Sequence, residues 1–486
     1  MIRVLIKKRV PHALPKLKAR STGERATVKF LQADVDSLCI EVLSRYMLSN
    51  NVEVTICIDK HGVARYLVNE PPLTSDEQKL IATLLDYIYT SSLRIESEDD
   101  LKDSLMKAAT DLGLENELVN KFDKIWYYVR RDSFGYGVLD PLFRDDDIED
   151  IELSHWETPV TVVHRRFLAY ESLVTNVRFN SEEEVKGVIE RLALRTGKAI
   201  SLANPELHAA LPEGYRLAAT LGEPVSSSPT FDIRKFPRVP IDVVTLINDH
   251  VLEPSIAALA WMLNDAKMFY CIIGGSGTGK TTLLNALLQL SNPFWKIVVV
   301  QDIPEIKLPK RPRFIQLFGE TTSEQFKRCV TALRYRPDIL VVGEVRGKEI
   351  RALVRAVASG SGSATTFHAS TPSEFEMAIR NILPRDLYVM LALNTGVLIH
   401  VARVRIGLRV ERRVVAVYER HASGWRTIYR MGEFDDIEDC DALKRVCQRL
   451  RVDDPKKEFT RRVQYLQMIP PGYENVEKAM RKFYGV

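Results

Sequence analysis

The residues best suited to chemistry form a glycine-rich segment near the middle of the 486-residue chain. The pattern G-x-x-x-x-G-K-[ST] is fitted by Gly274, Gly275, Ser276, Gly277, Thr278, Gly279, Lys280 and Thr281, and Thr282 completes the segment. Glycines let backbone N–H groups surround phosphate oxygens without a Cβ atom in the way, and a following helix adds partial positive charge. Because an apolar run precedes the segment and a helical pattern follows it, we predict a P-loop. There Lys280 reaches the β- and γ-phosphates of ATP, and the Thr281 hydroxyl ligates Mg²⁺.

Carboxylates that hydrolysis needs follow two other apolar runs. Asp302 and Glu305 come after residues 297–300, and Glu344 comes after residues 339–342. The carboxyl ends of parallel strands are where open α/β sheets bind ligands, so we predict that Asp302 and Glu344 face Mg²⁺. A solvated loop is the alternative for Asp302 and Glu305, and an ordinary strand-end carboxylate is the alternative for Glu344. Asp338, at the other end of its strand, is predicted to be structural.

A single histidine follows a stretch of small residues. His368 comes after 359–366, which are all Ser, Gly, Ala or Thr, and after Phe367, at the end of a possible strand. Taken alone, such a histidine is more often a hydrogen-bonded core residue than a catalytic one. The P-loop and the carboxylates upstream favour a place in the same site.

The elements that position these residues change character along the chain. Length and 45% hydrophobic content predict two or three domains, and a net charge of +4 argues against a general nucleic-acid binder. We predict a small mixed unit over 1–100, an α+β domain over 101–238 and, after a proline-containing linker at 234–240, an α/β domain over 239–486. Short apolar runs separated by helical patterns in the last part indicate a parallel sheet that is buried on both faces.

The cysteines and two charged segments also indicate where the protein is located and what it could contact. The six cysteines show no C-x-x-C spacing, so free thiols in a reducing compartment are expected, and the absence of a long apolar stretch predicts a cytoplasmic protein. The first twenty residues contain seven basic and no acidic side chains, which suits either a solvated tail or contact with anionic lipid. The acidic run 145–150 is predicted as a solvated turn entering a strand, with a metal site as a weaker alternative.

Together the motifs resemble the type II/type IV secretion ATPase superfamily, which includes GspE-like and PilT-like motors and the archaellum motor. The family's Walker A, Asp box, Walker B and His box correspond to 274–282, 301–305, 343–346 and 366–368. The resemblance covers about residues 130–400 and extends upstream through 136–142, 147–151, 211–216 and 231–236. The N-terminal part is most similar in style to archaeal members.

The resemblance implies a RecA-like P-loop ATPase core with an N-terminal α+β region, and it implies roles for particular residues. Glu305 polarises the attacking water, Glu344 is the Walker B acid, and His368 senses the γ-phosphate. Arg216 and Arg234 match positions where arginines approach nucleotide phosphates, with a structural salt bridge as the alternative for each.

Three departures from the family pattern stand out. Gln301 replaces the usual Glu, Ser361 replaces the usual first histidine of the His box, and the tetracysteine zinc motif of many GspE-like proteins is missing. No metal beyond Mg²⁺ is therefore implied.

The resemblance also implies a homohexamer that hydrolyses ATP to drive a type IV pilus-like filament or a type II/IV secretion apparatus. Its partners are a polytopic membrane platform protein and, indirectly, pilin-like subunits, at the cytoplasmic face of the membrane, with no nucleic acid expected. The alternatives are a motor of the same fold in a conjugation-like export system and a structural subunit that hydrolyses weakly.

Overall fold

The computed structural model describes residues 28–49, 51–91, 95–237, 239–407, 409–421, 424–434 and 439–485. The basic segment 1–20 lies outside this range. The chain divides between Phe236 and Pro237 into two compact units, inside the linker predicted from the prolines at 237 and 240. In the described residues each unit is built on its own nine-stranded sheet.

The first unit combines a mostly antiparallel sheet with helices. Its strands are β1 (Cys39–Ser49), β2 (Val52–Asp59), β3 (Ala64–Asn69), β4 (Ile148–Leu153), β5 (Thr161–His164), β6 (Leu173–Thr175), β7 (Glu206–Ala210), β8 (Arg216–Leu221) and β9 (Pro229–Arg234). Its helices are α1 (Val35–Leu38), α2 (Ser75–Thr90), α3 (Glu98–Leu112), α4 (Glu115–Val119), α5 (Phe122–Ser133), α6 (Asp140–Arg144) and α7 (Glu182–Thr196), with short 3-10 helices at Gly137–Leu139 and Arg165–Tyr170. The α+β character predicted for 101–238 is thus observed.

Strand pairing joins the two N-terminal regions, 1–100 and 101–238, that the sequence analysis predicts as separate units. The sheet order is β1-β2-β3-β6-β5-β4-β9-β8-β7, and β3 pairs in parallel with β6 through Arg65 with Val174 and Tyr66 with Thr175. Residue 100 is therefore no boundary between compact units, because strands from both sides of it share one sheet and one hydrophobic core. The pairing is long-range, which periodicity along the sequence does not reveal.

Two of the six cysteines are not free thiols, which corrects the expectation above. Cys39 and Cys57 form a disulfide, with Cα atoms 5.8 Å apart. The β1–β2 hairpin pairs Cys39 with Asp59 and Val42 with Cys57, so the fold brings together cysteines that are 18 positions apart in sequence. The other four are buried and free, namely Cys271, Cys329, Cys440 and Cys447.

The second unit carries the predicted parallel sheet. Its strands are β10 (Phe269–Ile273), β11 (Ile297–Gln301), β12 (Phe314–Phe318), β13 (Ile339–Val345), β14 (Gly362–Phe367), β15 (Thr395–Ile406), β16 (Arg409–His421), β17 (Gly424–Arg430) and β18 (Glu433–Phe434). Its helices are α8 (Val243–Asn248), α9 (Pro254–Asp265), α10 (Lys280–Leu288), α11 (Thr322–Arg334), α12 (Ile350–Ala358), α13 (Pro372–Ile382), α14 (Arg385–Asn394), α15 (Asp441–Leu450), α16 (Pro455–Gln467) and α17 (Tyr473–Phe483).

The order of the second sheet is β12-β11-β13-β14-β10-β15-β16-β17-β18. Strands β10 to β15 pair in parallel, and the strands after β15 pair antiparallel. Along β10, Tyr270 and Ile272 enter one hydrophobic core while Phe269, Cys271 and Ile273 enter another. Both faces are thus buried, which explains the uninterrupted apolar runs. With β14 between β10 and β13, this is a RecA-like core, as predicted.

The C-terminal helices pack on this core. Arg462 of α16 donates to Asp265 of α9 at 2.7 Å, and the Trp261 indole donates to the Tyr484 hydroxyl at 2.8 Å. In the described part of the chain, no helix combines the length and the apolar character needed to cross a bilayer.

One carboxylate ties α13 to α14 and to the antiparallel strands. Glu376 accepts hydrogen bonds from Arg380, Tyr388, Arg420 and Trp425 at 2.5 to 2.9 Å. Burial acts to raise the pKa of Glu376, but the bonds from Tyr388 and the arginines outweigh it and lower the pKa to about 2. Its stabilising contribution is therefore complete above pH 4.5, the ordinary value for Glu, and is lost as the pH falls toward 2.

We expect Glu376→Gln to lower the free energy of unfolding by about 2–3 kcal/mol, because two arginines lose their charge partner and one amide group cannot accept from all four donors. Urea unfolding at pH 7 measures the loss, and the difference between the two proteins should shrink below pH 4. Arg380→Gln is the control, since Arg380 is 59% exposed and should matter much less. Equal losses from both variants would contradict the central role of Glu376.

Candidate nucleotide site

The glycine-rich loop lies between β10 and α10, as the motif requires. Gly277 and Gly279 have φ angles of +65° and +90°, in the left-handed region. At Gly274 a Cβ atom would lie 2.3 Å from the carbonyl oxygen of Val401 in β15, so only glycine fits there. The N–H groups of residues 276–279 find no protein acceptor within the described residues. These donors fit a phosphate group.

Lys280 extends from the start of α10 across the loop. Its ammonium donates to the carbonyl oxygen of Gly275 at 2.7 Å and lies 3.4 Å from Nδ1 of His368. Burial lowers the pKa of Lys280, and attraction to Glu344 and Glu305 partly opposes that shift. The predicted lysine, carboxylates and histidine are thus electrostatic neighbours at one edge of the sheet.

The carboxylates are held by an arginine that belongs to the Walker B motif. Arg346 donates to Glu344 through Nε at 2.9 Å and through Nη2 at 2.6 Å, and its Nη1 lies 3.8 Å from Asp302. Burial disfavours the charge of Arg346, but the bonds and attraction to Glu344 raise its pKa overall. Arg346 therefore joins the Asp box to the Walker B strand, and Glu344 is partly neutralised in this structure.

Gln301 has a structural task that explains its departure from the usual Glu. Its side chain is buried, accepts from the Ile306 N–H at 3.0 Å and donates to the Ile306 carbonyl at 3.3 Å. An amide satisfies both partners, whereas a carboxylate only accepts. The residue therefore closes the loop that presents Asp302 and Glu305.

We expect Gln301→Glu to lower the free energy of unfolding by about 1–3 kcal/mol, because a carboxylate would face the Ile306 carbonyl oxygen in a buried position. Gln316→Glu is a matched control, since the Gln316 amide donates to the same oxygen at 2.8 Å from a half-buried position and should cost less. Chemical denaturation of both variants measures the two losses in the free energy of unfolding. A larger loss for Gln316→Glu would contradict the assignment.

The His-box strand is aligned with the Walker B strand by its hydroxyls. Thr366 donates to the Gly343 carbonyl at 2.7 Å, next to Glu344, and His368 follows at the exposed end. Ser361 lies before β14 begins and donates to the Pro337 carbonyl at 2.8 Å. A six-residue strand spans roughly 20 Å, so the Ser361 departure is remote from the loop and removes no group from the site. Asp338 is structural, as predicted: it pairs with Lys267 at 2.8 Å.

Arg216 and Arg234 belong to the first unit, where they are opposite each other in β8 and β9. Arg234 donates to Asp150 at 2.9 Å, which is the salt bridge considered as an alternative. Their approach to nucleotide phosphates stays a prediction.

The acidic turn is less solvated than predicted. Asp145 is buried and accepts from the hydroxyls of Tyr46 and Tyr66, and ligand atoms of Asp145, Asp147 and His164 lie within 4.8 Å of one another. The Asp145 oxygens already accept hydrogen bonds, one of them from the Asp147 N–H, so the cluster is a structural network.

Sequence reasoning missed two residues beside the loop. Arg403 and Arg412, in β15 and β16, both donate to the Gly277 carbonyl. The available signal was the concentration of five arginines within residues 403–413.

Comparison with known proteins shows the family of the chain. The model of the family described as "Type II/IV secretion system protein" matches residues 163–383. Uncharacterized protein MJ0900 of Methanocaldococcus jannaschii is 31% identical over 388 aligned positions, and the match covers 73% of this chain and 69% of that protein. The chain belongs to the type II/IV secretion system protein family.

Two other proteins are similar over a smaller part of the chain or at lower identity. Conjugal transfer protein TrbB of Rhizobium radiobacter is 30% identical over 171 residues, covering 34% of this chain and 53% of TrbB. The X-ray structure of the ATPase DotB of Legionella pneumophila is 19% identical, with a TM-score of 0.41, and the match covers 71% of this chain and 91% of DotB.

Proposed function

We propose that the chain binds ATP with Mg²⁺ in the P-loop and hydrolyses it as the hexameric motor of a type IV pilus-like or type II/IV secretion machine. The observation that carries the proposal is the arrangement around the loop, where Lys280 lies beside His368 and is attracted by Glu344 and Glu305. A cation that spans the loop, carboxylates at the ends of neighbouring strands and donors without acceptors are the parts that phosphoryl transfer requires.

Each residue of the site has a role that follows from its chemistry. Lys280 and the loop amides hold the phosphate chain, and Thr281, Asp302 and Glu344 would hold Mg²⁺, which supplies charge neutralisation for the β- and γ-phosphates when bound. Glu305 orients and polarises the attacking water. His368, next to Lys280, is placed to contact the γ-phosphate. For Glu344 to serve the site, its ion pair with Arg346 must loosen.

Arg216 and Arg234 supply further positive charge to the nucleotide, as the family positions that they match imply, and ATP hydrolysis supplies the mechanical work. A polytopic membrane platform protein at the cytoplasmic face receives that work and passes it to pilin-like subunits. The placement at the membrane and these partners rest on family membership.

A motor of a conjugation-like export system is the second candidate, and the similarity to TrbB favours it. It predicts binding to DNA without sequence preference that weakens steeply with salt, because such binding depends on counterion release. No such binding is expected of a pilus motor.

The proposal is tested by phosphate release from ATP, measured together with the mass of the assembly by light scattering. We expect turnover that requires Mg²⁺ and rises as the hexamer forms. A stable hexamer without turnover would instead establish a structural subunit. DNA binding at moderate salt would favour the export motor.

A further inference from the structure

The hairpin of β15 and β16 carries unusual positive charge next to the P-loop. Residues 403–413 of this hairpin contain five arginines, namely Arg403, Arg405, Arg409, Arg412 and Arg413. Arg413 pairs with Glu411 at 2.8 Å, and Arg403 is directly opposite Arg412 in the strand pairing. Like charges directly opposite each other destabilise a sheet, so the Arg403–Arg412 pair calls for a functional explanation.

Both of these side chains converge on one backbone atom of the loop. Nε of Arg412 donates to the Gly277 carbonyl oxygen at 3.0 Å, and Nε of Arg403 donates to the same oxygen at 3.3 Å. A Cβ atom at residue 277 would lie 2.5 Å from Nη2 of Arg403. The left-handed φ of Gly277 also disfavours any side chain there. The contact therefore depends on glycine at this open position of the motif.

Holding that carbonyl fixes the direction of the next N–H group. The Gly277–Thr278 peptide is trans, so its carbonyl oxygen and the Thr278 N–H point in opposite directions. The two guanidinium groups lie on the oxygen side, and the Thr278 N–H, on the other side, meets no acceptor in the part of the chain that the structure describes. Positive charge at the oxygen also polarises the peptide and makes the N–H a stronger donor.

We propose that Arg403 and Arg412 are positioning residues that hold the Gly277–Thr278 peptide with its N–H toward the phosphate chain of the nucleotide. The inference rests on the proposed nucleotide binding but not on hydrolysis. It assigns a role to the segment after the matched family region, which ends at residue 383. Because the arginines act on the loop, they strengthen binding of ADP and ATP alike.

The hairpin itself supplies matched controls. Arg405 and Arg409 are exposed, lie on the same two strands and, among the residues that the structure describes, form no hydrogen bond to the loop. Arg405→Gln and Arg409→Gln therefore remove the same charge without removing the contact. Arg403→Lys and Arg412→Lys keep the charge but lose the planar set of donors.

The test is a titration of the full chain with a fluorescent ADP analogue and Mg²⁺, together with thermal unfolding without nucleotide. We expect Arg403→Gln and Arg412→Gln each to weaken binding about fivefold and the double variant about 25-fold, as for losing one or two hydrogen bonds. The lysine variants should recover part of the loss. The midpoint of unfolding without nucleotide should stay near that of the parent protein.

Several outcomes would overturn the inference: a double variant that binds within twofold of the parent, or equal losses in Arg405→Gln and Arg409→Gln, which would indicate only general charge. If the double variant does not fold, the single and lysine variants decide in the same way. A parent that binds the analogue but releases no phosphate from ATP would contradict the proposed hydrolysis and leave this inference standing, whereas a folded parent that binds no nucleotide would overturn both.

Discussion

Glu344→Gln is expected to lower ATP turnover by about two to three orders of magnitude while Mg²⁺-nucleotide binding is largely retained. Glutamine matches the shape of the side chain but lacks the negative charge that a Walker B acid uses on the metal side and on water. The structure adds a second effect, because Arg346 donates twice to Glu344 and loses its charge partner in the variant. Nucleotide therefore accumulates on the protein without being consumed.

Single-turnover phosphate release measures the expected loss of turnover, and equilibrium titration measures the retained nucleotide binding. Asp386→Asn, at the exposed start of α14, removes one carboxylate outside the site and serves as the control. Turnover by Glu344→Gln within threefold of the parent would remove Glu344 from the mechanism and leave Glu305 as the remaining acid.

Lys280→Ala should abolish measurable turnover and weaken ADP binding by about 100-fold, because its ammonium is the positive charge that spans the loop and no other lysine is assigned there. The direction in which nucleotide affinity changes with pH follows from the pKa of Lys280. Burial lowers the pKa of Lys280 in the nucleotide-free protein, so the charged form is lost at a lower pH than for an ordinary lysine. Affinity in the parent should accordingly decline as the pH rises through that lowered pKa, and the decline should be absent in the variant.

Lys267→Ala is the matched control for the second prediction. Lys267 pairs with Asp338 at the opposite edge of the sheet, so its loss removes one lysine charge without touching the loop. Binding titrations between pH 7 and 10 compare the three proteins. An alkaline decline that persists in Lys280→Ala would show that another group titrates.

The sequence predicts the residues of the candidate site more completely than it predicts how the chain divides into compact units. Lys280 is identifiable from the glycine-rich motif, Glu344 from the apolar run before it, and His368 from the strand-like stretch before it. Parallel strands bring the ends of such strands to one edge of a sheet. The order of the strands follows from long-range pairing, which leaves no periodic pattern in the sequence. The same reason explains why the sequence predicts a boundary at residue 100 and does not predict the disulfide of the β1–β2 hairpin.

The roles of the residues at the two departures from the family pattern, Gln301 and Ser361, can be understood only from the structure. Sequence alone shows that a carboxylate is missing at Gln301 and a histidine at Ser361, and it treats both as losses from the site. The structure shows that the Gln301 amide makes two bonds that a carboxylate cannot make together, and that Ser361 stands at the far end of β14. Neither departure, taken by itself, therefore argues for the alternative of a structural subunit.

The packing of the β15–β16 hairpin on the loop also constrains how this sequence can vary over evolutionary time. The motif leaves position 277 open to any amino acid, but here a side chain would have to displace the Arg403 guanidinium. Homologues that keep arginines equivalent to 403 and 412 should therefore keep glycine at the position of 277, and those that lost them should be free to substitute it. Covariation between the two segments, more than 120 positions apart, is the trace that this contact should leave in an alignment.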